Sequence, residues 1–244
     1  MSLILINILF FALLLWQLLW PRRQDLLFKY ESSKITRFIN IKYLRFIHNL
    51  LLALFWIFAI NLFTDYFWFK YYQYYDSPYL RNYFSFPKKF NWLLLILFYI
   101  IYDYANYWWH RLNHTSRFLR RYHRFHHEDF FVDISTSFRF HYVELTLQYF
   151  WTFLFALVFK ISFYEITLLR LILVANGMFH HSNIRLPKYL NWLKHIIVTP
   201  EYHWNHHQSE RKYVDSNYGS FLVVWDKIHK TYTKPIEENS INQI

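Results

Sequence analysis

Four stretches of the chain are apolar almost throughout, and they decide its class before any motif is read. Ser2 to Trp20 carries no charge, and at roughly 1.5 Å per helical residue it is long enough to cross a ~30 Å hydrocarbon layer. Leu44 to Phe63 is interrupted near its start by Arg45, His48 and Asn49, where a long cation can snorkel to the interface. Phe90 to Trp109 holds a single charge, Asp103. Val143 to Phe179 is too long for one span, and Lys160-Ile-Ser-Phe-Tyr-Glu165 at its middle reads as a turn. That region predicts a hairpin of two short helices, of about 17 and 14 residues, near or below the length of a full span. The fold expected is an all-α integral membrane protein of about four transmembrane helices in two hairpins, with spans at 2–20, 44–63, 90–109 and 143–179. The intervening segments 110–142 and 180–232 form a helical, histidine-rich cap. One domain covers 1–244, with a disordered tail over 233–244.

Charge orients this arrangement. Pro21-Arg22-Arg23 follows the first run, where a secretory signal would carry its charge ahead of the run and a small-residue cleavage site behind it. The first run therefore reads as an uncleaved span with Met1 outside. Pro21–Tyr43, His110–Tyr142 and His180–Ile244 then share one side and hold 20 of the 27 Lys and Arg, against four in Thr64–Lys89. By the positive-inside rule the cap is cytosolic. The net charge of +11 is explained by anionic lipid headgroups, without a nucleic-acid partner. The absence of Cys removes thiolate metal sites, Fe–S clusters and Cys nucleophiles, and two glycines, Gly177 and Gly219, cannot build a nucleotide-binding loop. Usage rich in Ile, Asn, Lys, Phe and Tyr points to a bacterial inner membrane, with the endoplasmic reticulum membrane as the alternative.

Eight of the fourteen histidines fall in three clusters on the cytosolic side: His110-x-x-x-His114, His123-x-x-His126-His127 and His203-x-x-His206-His207. Residues three and four apart share a helix face, so each cluster can converge on one point. Eight imidazoles exceed the need of one tetrahedral ion, and a dinuclear site is the natural count. No HExxH is present, which excludes a metzincin-type protease. Asp103 lies two helical turns before His110, on the same side, where it could orient an imidazole or bond another helix. His48, His195 and His229 lack a partner at metal-ligand spacing and read as incidental.

At this point the chain resembles the superfamily of sterol desaturases and fatty acid hydroxylases. The resemblance rests on the order of the three boxes and on their flanks. These are Asp103 ahead of the first box, Asp133-Ile-Ser-Thr136-Ser-Phe-Arg139-Phe-His141-Tyr-Val-Glu144 after the second, and Phe179-His180-His181-Ser182-Asn183. Thr199-Pro200-Glu201-Tyr-His203, Asp215-Ser-Asn217-Tyr218-Gly219 and Trp225-Asp226 complete it, over roughly residues 90–232. Departures occur at Tyr142, where Pro is usual, and at His229-Lys230-Thr231, where Phe-Gly-Thr is usual. The resemblance implies two iron ions and the use of O2 to oxidise a C–H bond of a membrane lipid of sterol, fatty acyl, sphingolipid or alkylglycerol type. The product is an alcohol or an alkene. It adds His181 to the ligands, with His180 as the competitor, and gives His141 a place as ligand or supporting group. Glu144, Asp133 and Asp226 join Asp103 as supporting carboxylates, held together by Arg139, Arg111 and Asn183. No haem or flavin module fits the remaining length, so electrons are expected from a separate electron-transfer protein. Zinc can enter such a site on overexpression, and a zinc-dependent membrane hydrolase using Glu144 or Glu201 is the alternative from another class.

Overall fold

A computed structural model describes residues 2–21, 43–55, 66, 70, 92–129, 132–159, 163–208 and 210–235. The described residues are helical, joined by loops and two isolated bridges, Pro21 with Ile184 and Ile197 with Leu222. Helix α1 spans Ser2–Leu19, α2 Tyr43–Phe55, α3 Trp92–Thr115 and α4 Arg117–His127. After a short 3-10 turn at Ile134–Phe138 come α5, Tyr142–Phe159, and α6, Phe163–His181. A second 3-10 segment, Lys188–His195, leads to the short helices α7 Pro200–His206, α8 Arg211–Val214 and α9 Val224–Ile228.

The region expected to fold as a hairpin carries two helices, α5 and α6. Its second arm has 19 residues because the helix starts at Phe163, ahead of Glu165. The first histidine box is not part of a separate cap, as α3 continues for 24 residues and carries His110 and His114 on its last turns. Ser116 then breaks the helix: its backbone is extended and its hydroxyl accepts from the N–H of Leu119, starting α4 after a single residue. The expected loop 64–89 (apart from 66 and 70), the rest of the second span, the turn at 160–162 and most of the tail lie outside the described residues.

Aromatic and aliphatic side chains of α3, α5 and α6 interlock around Leu95, Tyr102, Phe155, Ala156, Ile166 and Leu169. A second cluster joins Leu13 of α1 to Ile134, Met178, Ile184 and Leu186. The helix ends meet where polar groups tie them. Gln17 Oε1 near the end of α1 accepts from the N–H groups of Ile134 and Asn183, at 3.2 and 2.9 Å. Arg45 on α2 does not snorkel: it pairs with Asp129 at 2.6 Å and with Asp133, and Asn49 donates to Asp129 and Ser135. The C-terminal ends of α1, α3 and α6 and the N-terminal ends of α2 and α5 therefore lie at one end of the bundle.

Away from that end the helices show apolar faces. Leu93, Ile96 and Leu97 on α3, Phe150, Leu154 and Val158 on α5, and Leu44, Ile47, Leu51 and Leu54 on α2 are exposed at helical spacing. By length and composition α5 can cross a membrane, and Asn7–Leu19 and Tyr43–Phe55 are shorter apolar helices.

Candidate metal centre

The histidines gather into two nests. His110, His114, His123, His127 and His206 place one nitrogen each within 4.8 Å of one another, and His126, His181, His203 and His207 do the same. Each nest is assembled from distant parts of the chain. The five-histidine nest draws on α3, α4 and α7, and the four-histidine nest on α4, α6 and α7 with the residue that ends it. On α4 the spacing sends His123 and His127 to one nest and His126 to the other, because a step of four returns to the same face while a step of three leads or lags it.

Hydrogen bonds at the outer nitrogen fix how these rings present the inner one. His110 Nδ1 donates to the carbonyl of Tyr218 at 3.0 Å and His206 Nδ1 to that of Ser216 at 2.6 Å. His126 Nδ1 donates to the carbonyl of Arg139 at 3.1 Å, His181 Nδ1 to that of Gly177 at 2.7 Å, and His123 Nδ1 to Glu144 Oε1 at 2.6 Å. A carbonyl only accepts, so Nδ1 bears the proton and Nε2 of the neutral ring is a bare lone pair. Burial first, then the fields of neighbouring imidazoles, keeps the rings neutral. His110, His114, His126, His127, His181, His203, His206 and His207 are held well below the usual 6.5.

The bare nitrogens point at one another. His110 Nε2 and His206 Nε2 are 3.0 Å apart, as are His126 Nε2 and His181 Nε2. Neither member of either pair has a proton to give, so the contact is repulsive unless a cation sits between the lone pairs. Imidazole nitrogens sharing one ion at about 2.0 to 2.1 Å stand roughly 3.0 to 3.4 Å apart, depending on the angle they make. The other inward contacts fit: His123 to His127 at 3.1 Å, His181 to His203 at 3.0 Å and His203 to His207 at 3.2 Å, all between Nε2 atoms. His114 Nε2 is buried without a hydrogen-bond partner. The donor set, nitrogen without sulfur, suits iron, zinc, copper or nickel.

Of His180 and His181, it is the Nε2 of His181 that enters the four-histidine nest. His180 packs against His203 and lies 3.4 Å from Asn176 Nδ2, outside either nest, and burial pushes it down to about 3. Glu144 accepts from His123 Nδ1. His141 joins neither nest; its Nδ1 accepts the N–H of Val143 at the start of α5.

Asp103 differs from expectation. It orients no imidazole but accepts from the N–H groups of Phe221 and Leu222 at 2.9 and 3.0 Å and from the Trp225 indole at 2.7 Å. Asp226 gathers Tyr202 Oη, Thr231 Oγ1 and the N–H groups of Tyr218 and Gly219, all within 2.6 to 2.8 Å. Together they pin the loop whose carbonyl, at Tyr218, holds His110. Asn217 shapes that loop with a left-handed φ of 56°, which Asn tolerates, and its amide bonds the backbone of Tyr202 and Thr233. Arg139 bonds the carbonyl of Phe125 and Asn49 Oδ1, Arg111 reaches Tyr107 Oη, and Asn183 meets Gln17; of the carboxylates they were expected to join, Asp133 is held by Arg45, which also pairs with Asp129. His229 lies outside both nests, stacked on Tyr107 at 5.0 Å and bonded to Tyr104 Oη. Backbone acceptors such as Gly177, Ser216 and Tyr218 leave no side-chain signal in the sequence.

The fatty acid hydroxylase family model matches residues 95–231, which hold both nests. The chain belongs to that family. Among curated proteins it is similar to human alkylglycerol monooxygenase, 31% identical over 53% of this chain and 28% of the relative. It is also similar to ornithine lipid hydroxylase OlsE of Rhizobium tropici, at 26% over 60% of the chain and 44% of the relative. A third relative is the Delta(7)-sterol 5(6)-desaturase of Leptosphaeria maculans, at 27% over 62% of the chain and 40% of the relative. The aligned part thus spans less than half the length of each of these proteins. No solved structure matches the chain.

Proposed function

We propose that the chain is a membrane-embedded, O2-dependent di-iron oxidase that hydroxylates an unactivated C–H bond of a lipid. The observation that carries this reading is the pair of 3.0 Å contacts between bare Nε2 atoms, one in each nest, which calls for two cations. Iron held by nitrogen ligands supplies the reduction of O2 and the oxidising power that breaks such a bond. His110, His114, His123, His127 and His206 would hold one ion, and His126, His181, His203 and His207 the other. Glu144 and the carbonyls of Tyr218, Ser216, Arg139 and Gly177 keep the rings aimed inward. Burial of the nests excludes water, which protects the oxidant from wasteful reaction. Exposed apolar faces on α2, α3 and α5 suit a bilayer, with the histidine end in the cytosol and the lipid's reactive carbon raised to it. Electrons come from a separate carrier protein.

The relatives named above act on an alkylglycerol, an ornithine lipid and a sterol, which supports a lipid substrate. The sterol desaturase among them favours desaturation on the same centre as the second reading. The test is elemental analysis of protein made in iron-replete medium, beside His126→Ala, followed by aerobic turnover of a lipid panel with a reductant. Two iron per chain, reduced in the mutant, with product gaining one oxygen, is the expected result. A product that loses two hydrogens selects desaturation; zinc alone with no O2 uptake overturns both readings.

A further inference from the structure

One buried line of rings leaves the five-histidine nest. Tyr218 lies with its ring centroid 5.9, 5.3 and 5.8 Å from those of His110, His114 and His206. Tyr107 follows at 6.3 Å from Tyr218, and both tyrosines are buried. Trp108, at 5.7 Å from Tyr107, is exposed at the surface with Arg111 over its ring. The hydroxyl of Tyr107 is also wired for a proton. Tyr107 Oη lies 3.0 Å from Thr231 Oγ1, which donates to Asp226 Oδ1 at 2.6 Å. A carboxylate accepts only, so the Thr231 proton is committed to Asp226 and Tyr107 must donate to Thr231. The Arg111 guanidinium, at 3.4 Å from the same oxygen, takes no proton and leaves that route as the one for it.

We propose that Tyr107 is a redox-active tyrosine that, through the ring of Tyr218, returns one electron to the five-histidine nest when the oxidant made there from O2 finds no lipid. The inference rests on the oxidase reading above. In the step the Tyr107 O–H bond breaks, and its electron passes to the nest, which is reduced by one unit. Its proton passes to Thr231, whose own proton passes to Asp226, leaving a neutral phenoxyl radical. Trp108 then relays an electron from an external one-electron reductant, and the protons return along the same two hydrogen bonds. A phenol holds its electron too tightly to carry the low-potential electrons of normal turnover, so the line works outward, as a discharge path. Burial raises the proton affinity of Asp226, which suits it as the terminus.

The test mixes iron-loaded, anaerobically reduced full-length protein with O2 and no lipid, and reads iron content, O2 consumption, the organic radical by freeze-quench electron paramagnetic resonance, and peptide masses. Expected is a radical whose pattern changes when the protein carries ring-deuterated tyrosine. Tyr107→Phe loses it with iron content kept, while Thr231→Ser, which preserves the hydroxyl, and Tyr99→Phe, off the line, keep it. In Tyr107→Phe, oxygen addition moves to the peptides bearing His110 and His206. O2 consumption without a radical, or a radical that survives Tyr107→Phe, overturns the relay and leaves the oxidase reading standing. Iron that does not bind, or O2 that is not consumed, overturns the oxidase reading and the relay with it.

Discussion

The two nests are built from the same side chain and supported in opposite ways. In the four-histidine nest the support is local: His181 bonds Gly177 one turn back on its own helix, and His126 bonds a carbonyl 13 residues on. In the five-histidine nest His110 depends on Tyr218, 108 residues away, on a loop that keeps its place through Asp103 and Asp226. One nest leans on α6 and on the segment after α4, the other on the C-terminal loop through the carbonyls of Ser216 and Tyr218. Damage to the C-terminal loop should therefore reach one metal position and spare the other.

The largest effect on this contrast should come from removing a ring of each bare pair. His206→Ala and His181→Ala should each lower bound metal from two ions to one, in different nests, with product formation lost in both; unchanged metal in either would break the pairing. Acid should come next, and it should treat the nests alike, since each holds four imidazoles kept well below 6.5. Below 6.5 the unfolded chain takes up protons that the folded, metal-free nests refuse. Stability is then full above that pH and falls as pH drops, by about 1.4 kcal/mol per unit for each imidazole. Thermal melting of metal-free protein between about pH 7 and pH 5 reads this, and a flat midpoint would contradict the buried, neutral nests.

Glu144→Ala sharpens the comparison, because it removes the carboxylate on His123 and leaves the four-histidine nest intact. Roughly 10- to 100-fold weaker metal binding at one position of two is expected by competitive chelator titration. The smallest effect belongs to Gly219→Ala. A Cβ there would stand 2.9 Å from Asp226 Oδ2 and 3.0 Å from the carbonyl of Leu222, so the loop must shift. A cost of about 1 to 3 kcal/mol in unfolding is expected, with metal leaving the five-histidine nest first on dilution.

Helical periodicity carried much of this arrangement in the sequence. Steps of three and four give His123, His126 and His127 one helix face, yet the fold sends His123 and His127 to one nest and His126 to the other, and the polar break at Lys160–Glu165 overlaps the start of α6 at Phe163. Periodicity gives a face and a direction but not the partner. Asp103 shares a helix face with His110 by its spacing, yet its partners come from Phe221, Leu222 and Trp225, more than a hundred residues on. His180 and His181 could not be separated by spacing, because the choice depends on how α6 is rotated against its neighbours, where Met178 packs on Leu13 and Ile134, while the Gly177 carbonyl fixes only the His181 ring. Arg45 looked like a snorkelling cation because Asp129 and Asp133 are distant in the chain. His229 looked idle because stacking on Tyr107 has no spacing rule.

The loop around Tyr218 touches α3 at two heights, at Asp103 and two turns higher at His110. A tilt or axial shift of α3 would carry the imidazole and its acceptor together as one beam with its bracket. Such common-mode motion leaves the ring's aim unchanged. It makes His110 a rider on α3, its aim set by a bracket that moves with the helix.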